Sequence, residues 1–132
     1  VDVIPKELAL MQAANESAWG TSRFARIGLN FFGQWCYSKG CGMVPGRRDT
    51  GAAHEVAAFK SVRAAVNSYF KNINTHNAYK ELRSIRENLR LEQQPIAATL
   101  LTQGLMSYSE RGEAYIEELN TMINQNRAYF DE

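Results

Sequence analysis

The apolar positions of the chain recur at helical spacing near the start and again over its second half, with an irregular stretch between. Ile4, Leu8, Met11 and Ala14 or Asn15 fall every three or four residues, which predicts a helix over 5–17 with one buried stripe. Pro5 suits its first turn and Gly20 its exit. A short helical turn follows around 21–26, with Thr21 or Ser22 as its cap. From residue 61 the period returns. Val62, Ala65, Val66, Tyr69, Phe70 and Ile73 mark one face behind a Ser61 cap. Asn74-Thr75-His76-Asn77 breaks the pattern. Tyr79, Leu82, Ile85, Arg86 and Leu89 mark the next face. Pro95 begins a helix over 95–104. The last helix runs about 112–129 through Tyr115, Leu119, Met122 and Ile123.

Residues 27–59 have no such period. Seven of the nine glycines lie between Gly20 and Gly51, which makes this part rich in turns. Gly40, Gly42, Pro45-Gly46 and Asp49-Thr50-Gly51 are turn signals. Residues 42–45 and 55–59 are expected as two small strands of a hairpin-like lobe. The sum is α+β and mostly α: five or six helices around one glycine-rich lobe at about 34–60. A length of 132 residues fits a single domain over 1–132.

Composition narrows the classes further. Fifteen Lys+Arg against 14 Asp+Glu leave a net charge of +1, without the basic excess of a nucleic-acid binder. No apolar run approaches the ~18 residues of a membrane span. Val1 in the first position implies a processed upstream segment or an excised domain, so the termini do not report localisation. His54 and His76 lack ligand-like spacing, so no metal or cofactor is expected. The charged stretch from Lys80 to Glu92 alternates sign, as an exposed helix face does.

The segment Gln12-Ala-Ala-Asn-Glu16-Ser-Ala-Trp-Gly20 carries the clearest chemistry. Glu16 sits at the C-terminal end of a helix, three residues before Trp19. The helix dipole and a nearby indole both disfavour its ionisation, as suits a proton donor. The plain alternative is an ordinary exposed helix residue.

This segment, with Ser22-Arg-Phe-Ala25 and Asn30-Phe-Phe-Gly33, resembles the glucosaminidase domain of glycoside hydrolase family 73. Gly33-Gln-Trp-Cys36 and Cys41-Gly42 resemble most its bacterial Bax-protein branch. The resemblance continues through Phe59-Lys-Ser-Val62, Ser68-Tyr69 and Asn74-Thr-His-Asn-Ala-Tyr79, and reaches Tyr108 and Tyr115. It implies a lysozyme-like fold, a helical lobe and a small β-hairpin lobe around a cleft. It also implies an endo-β-N-acetylglucosaminidase acting on peptidoglycan or another N-acetylglucosamine-containing glycan.

Carried over residue by residue, the resemblance makes Glu16 the general acid. Glu55 becomes the candidate second carboxylate, with Asp49 as runner-up. Tyr108 would face the substrate's N-acetyl group, although Arg111 stands where the family has Asp. Ala18 replaces a Gly usual in relatives.

Trp35 is the best sugar-stacking candidate. Phe32 and Tyr115 are further substrate contacts, with Phe31 or Phe32 alternatively filling the core. Asn30 either donates to an acetamide or caps a backbone turn. The resemblance implies an exported, periplasmic protein; a monomer with no membrane segment in this chain is expected. Under export Cys36 and Cys41 are expected to form a disulfide rather than two free thiols. Two alternatives stay open: a muramidase or lytic transglycosylase, and a non-catalytic glycan-binding module.

Overall fold

The computed structural model describes residues 2–44 and 54–130. The turn signals expected at Pro45-Gly46 and Asp49-Thr50-Gly51, with Arg47 and Arg48, lie outside the described residues. The architecture is α+β and mostly helical, as expected. Among the described residues six α-helices run Lys6–Glu16 (α1), Arg23–Gly28 (α2), Val62–Thr75 (α3), Lys80–Leu91 (α4), Ala98–Leu101 (α5) and Glu113–Gln125 (α6). Three short strands, Trp35–Cys36 (β1), Gly42–Met43 (β2) and Glu55–Ala57 (β3), form one antiparallel sheet. Among the described residues no helix is long and apolar enough to cross a membrane.

The chain divides into two compact units, one of Val1–Gln12 with Phe70–Glu132, the other of Ala13–Tyr69. The division falls within α1 and within α3.

The first unit is helical. Leu8, Ile73, Leu82, Leu101, Leu105, Leu119 and Ile123 are fully buried and form its core. Gly104 is required there: a methyl group on it would lie 2.3–2.5 Å from Leu82, so the turn 102–104 reaches the backbone of α4 only without a side chain. Asp2 ties the leading segment to α4, pairing with Arg86 at 3.2 Å and with Arg90. The hydrogen bond from Arg90 holds the Asp2 carboxyl well below the usual carboxylate range, aided by the Val3 N–H and by the Arg86 charge.

Two helix boundaries differ from the periodicity. The helix expected at 95–104 begins at Ala98, because Ala97 is extended and donates its N–H to the Pro95 carbonyl at 3.0 Å. That carbonyl would otherwise open the helix. The helix expected over 112–129 stops at Gln125. There the Asn126 side chain and backbone N–H both donate to the Met122 carbonyl, at 2.8 and 3.1 Å, and a separate tight turn follows at Arg127–Tyr129.

The second unit holds the sheet. The strand order is β1-β3-β2, so the last strand in sequence is central. Trp35 pairs with Val56 and Cys36 with Glu55 on one side, and Gly42 with Ala57 and Met43 with Val56 on the other. The expected pairing of 42–45 with 55–59 is present as β2 with β3, in shorter form. The extra strand, β1, is two residues long, too short to show any alternation. Ser22 Oγ caps α2 by accepting from the Ala25 N–H at 3.1 Å, and Ser61 Oγ caps α3 by accepting from Ala64 at 3.1 Å.

Candidate active site

Glu16 is the last residue of α1 and is half-buried. The helix ends there for a local reason. Ser17 is buried; its hydroxyl donates to the Ala13 carbonyl and accepts from the Gly20 N–H at 2.8 Å. Ala18, Trp19 and Gly20 then take φ of 51°, 56° and 81°, three consecutive residues in the left-handed region. The Trp19 N–H reaches back to the Ala14 carbonyl at 2.8 Å and the Ser22 N–H to Ser17 at 3.1 Å. These bonds satisfy carbonyls a helix end would leave open, and they fix where Glu16 stands. Non-glycine residues at positive φ mark a backbone held against its preference, a feature concentrated at functional sites.

The segment 30–34 lies against that carboxylate. A methyl group on Gly33 would be 2.8 Å from Glu16 Oε2 and 3.5 Å from its Cδ. Asn30 organises the segment. Its side chain is 2% exposed and makes four backbone contacts. Oδ1 accepts from Phe32 and Gln34 N–H at 3.3 and 3.2 Å, and Nδ2 donates to the Gln34 and Ala57 carbonyls at 2.8 and 2.9 Å. Of the two roles open from sequence, the structure displays the backbone-organising one. Phe32 is 4% exposed and stacks on Tyr69, with ring centroids 4.0 Å apart, so it is the core member of the Phe31-Phe32 pair.

Glu55 belongs to the same unit, on the central strand. It is 6% exposed, and its two oxygens accept from the Gly40 and Gly42 N–H groups at 2.9 and 3.0 Å. Cys36 and Cys41 are joined by a disulfide, with Cα atoms 6.3 Å apart. Loop 37–41 is thus fastened twice, by a covalent bond and by a carboxylate. Trp35 precedes it, 52% exposed, with its indole stacked on the His54 imidazole at 3.7 Å and 11°. Tyr37 is exposed beside it.

Tyr108 and Tyr115 belong to the other unit. Their rings are parallel with centroids 5.9 Å apart, and Tyr79 lies 5.8 Å from Tyr108 on its own contact. Tyr115 is 1% exposed and its hydroxyl accepts from Gln12 Nε2 at 3.0 Å. Among the described residues no three His, Cys, Asp or Glu side chains group as metal ligands.

Several residues escaped sequence reasoning. Gln12 carried a signal, since a fully buried Gln inside an apolar stripe needs a partner. Gln34 bridges the Ser68 hydroxyl, which donates to it at 2.8 Å, and the Ala65 carbonyl at 3.2 Å. The Trp35–His54 stack and the closeness of Gly33 to Glu16 join residues distant in sequence and left no signal in spacing.

A mostly helical α+β chain with a glutamate at a locked helix end and a small three-stranded sheet belongs to a defined class. The chain is a member of the glucosaminidase family, whose model, described as mannosyl-glycoprotein endo-beta-N-acetylglucosaminidase, matches residues 1–128. A glycosidase kind of activity goes with that membership. The chain is also 37% identical to Protein bax of Escherichia coli (strain K12) over 127 residues, 96% of this chain and 44% of that relative. It therefore spans less than half the length of the relative it matches. No solved structure matches.

Proposed function

We propose that the chain is a catalytic domain over residues 1–132 that cleaves the β-1,4 bond after N-acetylglucosamine in peptidoglycan, with Glu16 as general acid. The observation that carries this reading is the placement of Glu16, half-buried at a helix end fixed by Ser17 and the left-handed turn, and covered by Gly33. A proton donor must be held in one geometry, and this one is.

In the reaction, Glu16 protonates the leaving oxygen as the bond from that oxygen to the sugar's anomeric carbon breaks. The positive charge on the carbon needs a partner. Two routes supply it. In one, Glu55 activates a water for inversion. In the other, the substrate's acetamido oxygen bonds to the carbon, and water later opens the oxazolinium ion while the Glu16 carboxylate takes the water's proton. Both Glu55 oxygens already accept backbone N–H groups, which favours the second route, with Glu55 as fixed negative charge. Tyr108 is assigned to the acetamido group on the resemblance alone. Trp35 offers an exposed apolar face for stacking on a sugar ring, whereas Asn30, Phe32 and Tyr115 support the unit in which each lies. The disulfide supports an exported protein, since such bonds persist in oxidising compartments.

The test is Glu16→Gln. The variant should fold with an unchanged melting curve and lose glycan cleavage by about 10³-fold or more. Release of reducing ends at the wild-type rate would sink the assignment. Mass spectrometry of digested cell wall decides the bond: new ends of N-acetylglucosamine support the reading, whereas muramic acid or its anhydro form indicates a muramidase or transglycosylase.

A further inference from the structure

We infer that Gly33 is the positioning residue of Glu16, and that the segment Asn30–Gln34 is a rigid backbone surface whose task is to hold that carboxyl in one rotamer. The inference rests on the reading of Glu16 as the acid and extends it to how the acid is aimed.

Three features lead to it. First, Gly33 is met by Oε2, Cδ and Cβ of Glu16, at 2.8, 3.5 and 3.6 Å from where a side chain would begin. The glutamate therefore lies along Gly33 for most of its length, rather than touching it at the tip. A real Cβ is essentially never found 2.8 Å from another heavy atom, so any residue but glycine displaces the carboxyl. Second, Gly33 has φ of 68°, a left-handed conformation that glycine adopts at no steric cost.

Third, the surface cannot retreat, because both neighbours of Gly33 are tied down elsewhere. The Phe32 N–H and both backbone groups of Gln34 are held by the Asn30 side chain. Asn30 is itself bonded to Ala57 on the central strand. The Phe32 ring is stacked on Tyr69, and the Gln34 amide is bonded to Ala65 and Ser68, all three on α3. One helix thus supplies the carboxyl, and a second helix with the sheet supplies the surface that aims it. A free glutamate has three side-chain torsions. Packed along a fixed backbone it keeps few of their combinations, which is what a preorganised donor requires.

The experiment uses Gly33→Ala in the chain as it stands, with thermal melts, steady-state cleavage of a soluble N-acetylglucosamine-containing glycan, and the pH profile of kcat. Gly40→Ala serves as a stability reference only: its φ is 84° and nothing lies within 4 Å of its missing side chain, so it reports the backbone cost alone.

The expected result is a Gly33→Ala melting temperature close to that of Gly40→Ala, because the clash falls on the far end of a flexible side chain that swings aside. Its kcat should fall about 100-fold, the loss a displacement of about 1 Å produces. KM should change by less than about threefold, because binding contacts elsewhere are untouched. The basic limb of the kcat profile should shift, because the carboxyl's surroundings have changed. A purely structural lesion would lower stability without moving that limb.

A wild-type kcat with an unmoved limb overturns the inference. If Gly33→Ala does not fold, Glu16→Ala is added. Recovery of folding in the double variant supports the clash as the cause, and failure to recover overturns it. Retained activity in Glu16→Gln is a separate outcome that removes the underlying reading instead.

Discussion

Replacing Glu55 with Gln tests whether this carboxylate is what fastens the glycine-rich loop. The side chain keeps its size, so no cavity opens. One oxygen still accepts an N–H, while the other becomes an NH2 group facing a second donor. The pair at 2.9 and 3.0 Å from Gly40 and Gly42 therefore loses one charge-assisted bond and keeps one neutral bond. Two bonds to a charged group, at about 1.5–3 kcal/mol each, give way to one neutral bond of about 1 kcal/mol, so the loss is about 2–5 kcal/mol. Burial to 6% exposure means that solvent screens little of it. For 132 residues, at about 2.1 cal/mol/K each, 1 kcal/mol moves the melting point by roughly 4 °C, so a drop of about 8–20 °C is expected. Circular dichroism under oxidising conditions reads this directly. A melting temperature within about 2 °C of wild type would refute the anchoring argument. Cleavage measured well below both melting points then separates the roles. A folded, cold variant that retains activity is an anchor mutant, and one that loses it marks Glu55 as a participant in the reaction.

Further outcomes follow from other elements. Replacing Cys36 and Cys41 together by Ser should cost about 2 kcal/mol, the loop-closure value for so short a ring, measured by urea titration. An unchanged midpoint would show that the Glu55 contacts suffice. Ala18→Gly relieves a side chain held at φ 51° by about 1–2 kcal/mol, offset by about 0.4–1 kcal/mol of unfolded-chain entropy. Its melting temperature should hold or rise by a few degrees, and a fall of more than about 3 °C would contradict the strain. Asp2→Asn should cost about 1 kcal/mol at pH 6, a value limited by partial exposure. The folded-state pKa of Asp2 is depressed, so its contribution is full above the unfolded value near 3.8 and fades as pH falls below it. The gap between the wild-type and Asn variants should therefore narrow steadily as pH falls below about 3.8, and a constant gap would exclude the pairing as its source.

How much was legible in the sequence depends on the range of the interaction. Ser22 and Ser61 were readable as caps because a cap acts over three residues. Leu8, Ile73, Leu82 and Leu119 were readable because a helix face repeats. The boundaries at Ala97 and Asn126 were not, since each turns on the hydrogen bonds of a single residue. The Cys36–Cys41 link was reached through family likeness and compartment rather than spacing. Glu16 stood out by its place at a helix end. Its contact with Gly33, and the fixing of Gly33 through Asn30, Tyr69 and Ser68, are tertiary, and no period encodes them. Tyr115 and Phe32 show the opposite limit: an aromatic in a motif reads alike whether it faces substrate or core.

The order of the strands bears on how the small sheet assembles. β1 and β2 do not bond to each other; each bonds only to β3, which follows both in the chain. Neither edge therefore has a sheet partner until β3 is in place. The Cys36–Cys41 link joins the end of β1 to the residue before β2, with Cα atoms 6.3 Å apart. Oxidation ahead of strand pairing keeps the two edge segments near each other, and Glu55 then brings acceptors for the Gly40 and Gly42 N–H groups. Refolding from the oxidised chain should accordingly outpace refolding from the reduced one, with the sheet closing from its margins inward.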